Sequence, residues 1–418
     1  MRPTQLTAFL SLLLLVRTGA AAQAAPDLQQ MQQELRQLKA QLAEMARLKQ
    51  QVQALETQIN QLEQSQAKSR PDASARQEQP PKKEKRLKLG GAIRFNYFYK
   101  NYDTAVKAKH GQSGLDLFRI NADGGYRNWL FSAEYRWYPY MQTIHHGWIG
   151  YKFNDHSQLQ AGITKVPFGL LPYAAHNYWF GVPYYVGLAD NYDTGVKYLR
   201  TSGPWDLRLA FFKNGELGDS SNLDRYSFDV VSVGPGKNEQ TNQFNARLAY
   251  TFGRDTSCSN EVGASLLRGS LYSLDTGKNG SHWAAAAHLD SRCGRWNVQL
   301  EAARYHFSPR NPAGVSDRTV RLGAFATSYD VASAGTLGVF NVAYNLPVHW
   351  QSIDQITCYN DYKSQLNTTG CAIGIGPLFT YIDIIRANNM VFLGNGSLAG
   401  GGDQGWNTRF NINVGYYF

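Results

Sequence analysis

Runs of about ten residues in which apolar and polar side chains alternate recur from residue 87 to the C-terminus, and they constrain the fold more than any other feature. Successive side chains of a β-strand point to opposite faces, so each run predicts a strand with one apolar and one polar face. The predicted strands cover residues 87–99, 115–125, 129–138, 144–153, 159–165, 192–200, 205–213, 243–252, 261–273, 282–290, 296–307, 320–329, 337–345, 350–359, 371–385 and 406–418.

This number and length of strands favour a membrane barrel over a soluble sandwich. About ten residues cross a bilayer when a strand is tilted by ~45°, and bacterial barrels usually have an even number of strands. We therefore predict an all-β transmembrane β-barrel of about 16 antiparallel strands over residues 87–418, with the apolar faces toward lipid. A count two lower or two higher is the alternative, because the alternation is lost at Arg268.

The connections between the predicted strands support a barrel, because short and long ones alternate along the chain. The short connections include residues 126–128, 154–156 and 201–204, and the long ones include 166–191, 214–240 and 387–405. Short periplasmic turns opposite long outer loops are typical of outer-membrane barrels. A soluble sandwich gives no reason for its long loops to gather at one end.

Composition and charge agree with a barrel and exclude one class of partner. The chain has 25 Tyr, 20 Phe, 9 Trp and 39 Gly, while its mean hydropathy is −0.42. Alternating strands with interfacial aromatic residues and glycine-containing turns give this combination. The net charge of +10 is shared equally between residues 1–86 and 87–418, so no concentrated nucleic-acid-binding patch is indicated.

Three segments are predicted before the barrel. Residues 1–25 have a basic start, a short apolar run and an A-x-A site, which together indicate a secretory signal peptide. Residues 26–64 carry apolar residues at steps of three and four, the spacing of an α-helical coiled coil in the periplasm. Residues 65–86 contain three prolines and no apolar period, as expected of a flexible basic linker.

The coiled coil predicts an oligomer, because an isolated helix would leave its apolar seam in water. Leucine at most seam positions does not decide between a dimer and a trimer, and a lone solvated helix is the alternative. The coil and the basic linker also suggest a second role, which is to tether the outer membrane to the cell wall through peptidoglycan.

Four cysteines in a secreted chain suggest two disulfide bonds. On the predicted topology all four lie near the periplasmic turns, so we predict the pairs Cys258–Cys293 and Cys358–Cys371. Free thiols are the main alternative. A zinc site has no support, because no C-x-x-C pair or nearby histidine accompanies the cysteines, and neither a metal nor another cofactor is predicted.

The polar faces of the predicted strands define the inside of the barrel. The predicted pore-lining cations are Lys88, Arg94, Arg119, Arg136, Lys152, Lys197, Arg208, Arg247, Arg321 and Arg409. Inward acids include Glu134, Asp193, Asp206, Asp290 and Glu301. Because cations outnumber acids, a modest anion preference follows for a water-filled channel. The alternative is that these groups pair across the barrel and only hold its shape.

The loop at residues 166–191 is the predicted constriction, because a barrel of this size is too wide for wall side chains to fill. Its candidate constriction residues are Phe168, Tyr173, His176, Tyr178, Trp179, Tyr184 and Tyr185. Such rings line a narrow opening or stack on sugar rings in some channels. Packing of these rings against the barrel wall or a neighbouring subunit is the alternative.

Several stretches resemble known porin families. The order of signal, coiled coil and barrel is similar to that of sucrose porins, and the segments KVPFGLLP, YDTGVKYL, RYSFDVV and FNINVGYYF resemble the phosphate-selective porin O/P family. The resemblance implies a trimeric outer-membrane porin for passive diffusion of small hydrophilic solutes. Selectivity for phosphate or a sugar is the alternative, although acids interrupt the basic residues here.

An enzymatic role is not predicted. A barrel phospholipase needs a serine within reach of a histidine at a lipid-facing site. His145 and His146 are adjacent on a predicted strand, so we expect them to point to opposite faces and not to share a metal ion. The terminal Phe418 resembles the signal that the barrel assembly machinery of the bacterial outer membrane recognises, which predicts that machinery as a partner.

Overall fold

The computed structural model describes residues 86–350, 352–394, 398–399 and 405–418, together with Arg36, Lys39 and Gln50, which are helical with exposed side chains. The chain divides into two compact units, which are residues 1–81 and residues 82–418. The predicted signal peptide lies outside the described residues, as do the rest of the predicted coiled coil and the linker up to residue 85. No described helix is long and apolar enough to cross a bilayer.

Sixteen antiparallel strands form a closed barrel, as predicted. The barrel strands are β1 (Arg86–Lys100), β2 (Gln112–Tyr126), β3 (Trp129–Trp137), β4 (Gln142–Asn154), β5 (Ser157–Lys165), β6 (Tyr192–Ser202), β7 (Trp205–Gly215), β9 (Asn238–Phe252), β10 (Cys258–Ser273), β11 (Asn279–Cys293), β12 (Trp296–Ser308), β15 (Ala334–Leu346), β16 (Gln355–Lys363), β17 (Leu366–Ile375), β18 (Leu378–Asn388) and β19 (Trp406–Tyr417). Pairing of β1 with β19, from Ala92 opposite Tyr417 to Lys100 opposite Arg409, closes the barrel.

A second sheet, of three strands, is not part of the barrel wall, and it shows that one predicted barrel strand is wrong. It consists of β8 (Asp229–Val230), β13 (Thr319–Ala324) and β14 (Thr327–Ala332). The predicted barrel strand 320–329 is wrong, because the chain reverses at Phe325 and Ala326, which both have positive φ angles. The alternating pattern was real, but it serves a hairpin within a loop.

The predicted strand 371–385 is also wrong, because it joins two strands. A two-residue turn at Gly376 and Pro377 separates β17 from β18, and Gly376 has a φ of 52°, a conformation that glycine adopts without strain. The two errors compensate, since one predicted strand lies outside the barrel and another counts twice.

The connections differ in length at the two ends of the barrel, as the sequence indicated. At the turn end, which also holds both barrel termini, most connections are short. The connections at the loop end are named L1 (101–111), L2 (138–141), L3 (166–191), L4 (216–237), L5 (274–278), L6 (309–333), L7 (364–365) and L8 (389–405). L1 contains helix α1 (Thr104–Ala108) and L3 contains helix α2 (Val182–Tyr185).

The two faces of the barrel wall have opposite character. Large apolar side chains are exposed on the outside, among them Phe95, Phe244, Leu266, Phe340 and Ile384. Inward residues of the barrel strands are polar and buried, among them Asn245, Asn341, Asp361 and Asn411. An apolar exterior around a polar interior is the pattern of a barrel whose wall faces lipid.

Two disulfide bonds cross-link neighbouring strands, and they join Cys258 to Cys293 and Cys358 to Cys371. The first pair lies at the turn end, where β10 begins and β11 ends. The second lies within β16 and β17, two strands joined at the loop end by L7. The two cysteines therefore flank L7 and not the expected periplasmic turn, because the missed turn at Gly376 shifts the topology, although the bond lies nearer the Gly376 turn than L7.

Candidate functional site

L3 folds into the barrel and is bonded to the inner wall, and it begins this contact at Gly169. The Gly169 N–H donates to Ser265 Oγ at 3.0 Å, and its carbonyl accepts from Arg247 Nε at 2.8 Å. The next N–H, from Leu170, donates to Glu301 Oε2 at 2.7 Å. Glycine is required here, because φ is 61° and a Cβ would lie 2.3 Å from the Glu301 carboxylate.

Asp361 holds the middle of L3 against β16. Its carboxylate accepts the backbone N–H of His176 at 2.7 Å and the Asn177 side-chain amide at 2.6 Å. His176 Nδ1 lies 2.7 Å from the same carboxylate, and Nε2 lies 2.6 Å from Asn297 Oδ1. Lys363 Nζ, 3.2 Å away, supplies a buried countercharge. These contacts fix L3 on β12 and β16.

The second half of L3 packs with L4 and L6 at the loop end. Tyr329 in L6 donates to the Tyr185 carbonyl at 2.6 Å, and Tyr226 in L4 donates to Asp190 Oδ2 at 2.5 Å. The rings of Tyr184 and Tyr226 have centroids 5.9 Å apart. Burial raises the pKa of the Tyr184 phenol well above its ordinary value, so this phenol is uncharged at neutral pH.

A cavity of about 910 Å³ remains between L3 and the opposite part of the wall. Its wall side chains come mainly from β1, β2, β3, β4, β18 and β19. Nearly half of the lining residues are aromatic, and these are Phe98, Tyr138, Tyr140, Tyr173, Tyr178, Trp179, Phe180, Tyr184, Tyr185, Tyr192, Tyr226, Phe228, Phe325, Tyr381, Phe392 and Tyr417. We refer to this space as the lumen cavity.

The lumen cavity is lined by more cationic residues than carboxylates. Its cations are Arg94, Arg119, Arg136, Lys165 and Arg409, and its carboxylates are Asp116, Glu134 and Asp190. If all of these groups are ionised, the cavity has an excess of two positive charges. An excess of positive charge on the walls of a cleft favours anions over cations there.

Four of the five cations have a carboxylate partner. Arg94 pairs with Asp116 at 2.9 Å. Glu134 serves both Arg119, at 3.0 Å, and Arg136, at 2.5 Å. Lys165 pairs with Asp190 at 2.5 Å, and these two residues delimit L3. Arg409 is the exception within the described part of the chain.

Each cation of the lumen cavity also lies over an aromatic ring. The distances to the ring centroids are 5.5 Å from Arg94 to Tyr178, 5.7 Å from Arg119 to Tyr417, 4.6 Å from Arg136 to Tyr226, 5.2 Å from Lys165 to Tyr192, and 4.4 and 4.6 Å from Arg409 to Phe98 and Trp179. Such contacts attract the cation to the ring face and hold flexible side chains in one orientation.

Four of the ten predicted pore-lining cations line the lumen cavity, namely Arg94, Arg119, Arg136 and Arg409. Lys88 is exposed at the turn end, where Lys152 also pairs with Asp155 at 2.7 Å. Arg321 lies outside the barrel wall in β13 and pairs with Asp330 at 2.8 Å. The prediction that Arg321 faces the barrel interior from a wall strand is wrong, because its segment forms the L6 hairpin.

The remaining three predicted cations lie on the inner wall outside the cavity lining. Lys197 is buried and donates to the Lys165 carbonyl at 2.8 Å. Arg208 pairs with Asp206 at 2.8 Å. Arg247 is 1% exposed, because L3 covers it. The alternation gave the face of each strand correctly for these residues, but it carried no information about which part of the wall a loop would cover.

Five of the seven predicted constriction residues line the lumen cavity, and these are Tyr173, Tyr178, Trp179, Tyr184 and Tyr185. Phe168 is instead buried in the apolar cluster beneath L3, and His176 is bonded to Asp361 and Asn297. Sequence reasoning missed Lys165 and Asp190. The only available signal was their position as opposite charges at the two ends of the long loop.

His145 and His146 lie on the same side of the wall, which corrects the sequence interpretation. A bulge in β4 leaves His145 without a partner on β3, because Glu134 is opposite His146 and Tyr135 is opposite Ile144. The two Nδ1 atoms are 2.9 Å apart. Alternation fails at a bulge, where an extra residue shifts the side-chain direction.

The histidine pair forms neither a metal centre nor a lipid-facing serine site. In the part of the chain that the structure describes, no three His, Cys, Asp or Glu residues are arranged to hold a metal ion. Ser132 Oγ lies 2.7 Å from His146 Nε2, but both side chains are on the inner wall, away from lipid. His145 lines the lumen cavity and packs on Tyr192.

The chain matches no protein-family profile and no curated protein sequence, whereas solved structures share its fold. The outer membrane channel DcaP of Acinetobacter baumannii has a TM-score of 0.53 at 11% identity, covering 81% of this chain and 98% of its own. OmpF of Salmonella typhi, in complex with daunomycin, has a TM-score of 0.52 at 10% identity, covering 79% and 97%.

An anion-selective porin from Comamonas acidovorans has a TM-score of 0.51 at 12% identity, covering 80% of this chain and 100% of its own. At these identities the likeness establishes the fold. The barrel unit of this chain therefore has the fold of these channels and porins, and L3 and the lumen cavity form its interior.

Proposed function

We propose that this protein is an outer-membrane porin, a water-filled channel for passive diffusion of small hydrophilic solutes with a modest anion preference. The observation that carries the proposal is the lumen cavity itself. It is a space of about 910 Å³ inside a closed barrel, and its cations exceed its carboxylates by two. The apolar exterior of the wall and the channel structures that share the fold support the same function.

The direct test is electrical. Purified protein in a planar bilayer is expected to give stepwise conductance, and a potassium chloride gradient is expected to give a reversal potential displaced toward that of chloride. A silent bilayer would refute the channel. A displacement toward the potassium potential would refute the anion preference and leave the channel intact.

We further propose a homotrimer in the bacterial outer membrane, with the N-terminal coiled coil in the periplasm. Support comes from the apolar seam of residues 26–64, which requires a partner helix, and from the sequence resemblance to trimeric porins. Conductance steps in multiples of three, together with a trimeric mass in detergent, are the expected results. A monomeric mass with single steps would contradict the trimer.

Attachment to peptidoglycan is the second candidate role, and the coil followed by a basic linker favours it. Deletion of residues 27–86 separates the possibilities. Lost envelope attachment with unchanged channels indicates a tether, while lost trimers indicate a role in assembly.

For the final strand, removal of Phe418 is expected to lower insertion into the outer membrane through the barrel assembly machinery without affecting secretion.

A further inference from the structure

Arg409 is the one lumen-cavity cation that lacks a carboxylate partner among the described residues. Its guanidinium lies between the rings of Phe98 and Trp179, with Cζ 4.4 and 4.6 Å from their centroids. Nη2 donates to Asn411 Oδ1 at 3.0 Å, whereas the buried Nε has no partner. Arg409 is therefore oriented by rings and an amide, and its charge is not neutralised.

Other donors without partners are connected to Arg409 through a row of aromatic rings that begins at Trp179. Tyr178 Oη, Trp179 Nε1 and Arg94 Nε are buried without a hydrogen-bond partner, and all three residues line the lumen cavity. Arg94 lies 5.5 Å over the Tyr178 ring, and the Tyr178 and Trp179 rings are 5.3 Å apart. Buried polar groups are normally satisfied, so unpaired donors that line a cavity are positioned to bind an acceptor that enters it.

Resting on the porin function proposed above, we propose that the donor cluster of Arg94, Tyr178, Trp179 and Arg409 binds a carboxylate joined to a flat apolar ring. The carboxylate supplies the acceptor that these donors lack, and a planar guanidinium matches carboxylate geometry. The ring packs against Phe98 and the neighbouring aromatic side chains. The solute class is thus that of monoanionic aromatic acids.

Two other solute classes fit the cluster less well. Phosphate has a multiply charged, fully hydrophilic surface and needs several free cations, but the carboxylates of the lumen cavity already pair with four of the five. A neutral sugar could stack on the rings, but it would leave the Arg409 charge without a counterion. Both classes are competing outcomes of the test.

The test measures single-channel current through the full-length protein in potassium chloride while a probe is added. Benzoate is the probe, acetate is the same charge without the ring, and benzamide is the same ring without the charge. Benzoate is expected to reduce the chloride current at concentrations at least tenfold lower than acetate, benzamide, inorganic phosphate or sucrose. Equal or stronger effects of phosphate, sucrose or benzamide would overturn the assignment.

Two variants assign the effect to the cluster. Arg409→Gln is expected to weaken the benzoate effect by about tenfold or more, because it removes the charge and leaves an amide in its place. Phe98→Leu keeps apolar volume but removes a flat face, so it is expected to reduce the preference for benzoate over acetate. Lys88→Gln, a charge removal on the same wall outside the lumen cavity, is the matched control and should match the parent.

The outcomes separate this inference from the porin function. A protein that conducts no current refutes the porin proposal, whereas one that conducts chloride but does not respond to benzoate refutes only the aromatic-acid site. A benzoate effect that survives Arg409→Gln in a barrel with the parent's heat-dependent electrophoretic mobility would also overturn the site.

Discussion

The two halves of the inner wall have similar amino acids but different environments. On β1 to β4 and β19, the charged residues surround the lumen cavity, and Glu134 pairs with Arg119 and Arg136. On β12 and β16, polar residues such as Glu301 and Asp361 bind the backbone of L3. An inward charge therefore borders the lumen cavity only where L3 does not cover it.

The largest effect is expected from Asp361→Ala on the covered half. The substitution removes the acceptor of three L3 hydrogen bonds and leaves the buried Lys363 charge unpaired. We expect a loss of about 3–5 kcal/mol in the free energy of unfolding, and a severalfold larger conductance as L3 leaves the wall. Denaturant unfolding and bilayer recordings measure the two effects.

Asp155→Ala is the control for that experiment. Asp155 forms an exposed ion pair with Lys152 at the turn end, so its loss should leave both the free energy of unfolding and the conductance near the parent values. Unchanged conductance in Asp361→Ala would mean that L3 is held mainly by its apolar cluster.

A smaller effect is expected from neutralising one carboxylate on each half. Glu134→Gln removes a charge that borders the lumen cavity, so the chloride-to-potassium permeability ratio should rise severalfold. Glu301→Gln changes a carboxylate that L3 covers, so the ratio should stay near the parent value. Reversal potentials measure both. Equal shifts in the two variants would mean that L3 does not shield the covered half.

The smallest effect concerns pH and Glu216 in L4. Burial, followed by the proximity of Asp229, raises the pKa of Glu216 to about 8, and its buried Oε1 has no partner. The folded loop keeps a proton that the unfolded chain loses near its ordinary pKa of 4.5. Stability should therefore fall as pH rises from about 4.5 to about 8, and the cost remains above that range.

Glu216→Gln mimics the protonated side chain and tests this linkage. Its melting temperature should equal that of the parent at pH 4 and exceed it by a few degrees at pH 9. Asp224→Asn, a change at an exposed carboxylate of the same loop, should follow the parent at both values. A Glu216→Gln profile parallel to the parent would show that Glu216 is ionised in the folded protein.

The sequence alone predicted the closed barrel and the inward direction of Arg94, Arg119, Arg136 and Arg409, whereas the strand number was right only because two errors compensated. This was possible because the alternation of side chains along a strand is a local property, which can be read from each run of residues by itself. The same reasoning failed where a local exception intervened, as at the His145 bulge and the turn at Gly376.

Only the tertiary structure decided which inward residues meet the lumen cavity. The Gly169, His176 and Asn177 contacts join segments far apart in the chain, and no local pattern states them. The isolation of Arg409 likewise depends on where Asp116, Glu134 and Asp190 find their partners. The side of the wall that a residue faces follows from local backbone geometry. Which inward residues L3 covers, and which charges pair, follows from long-range packing.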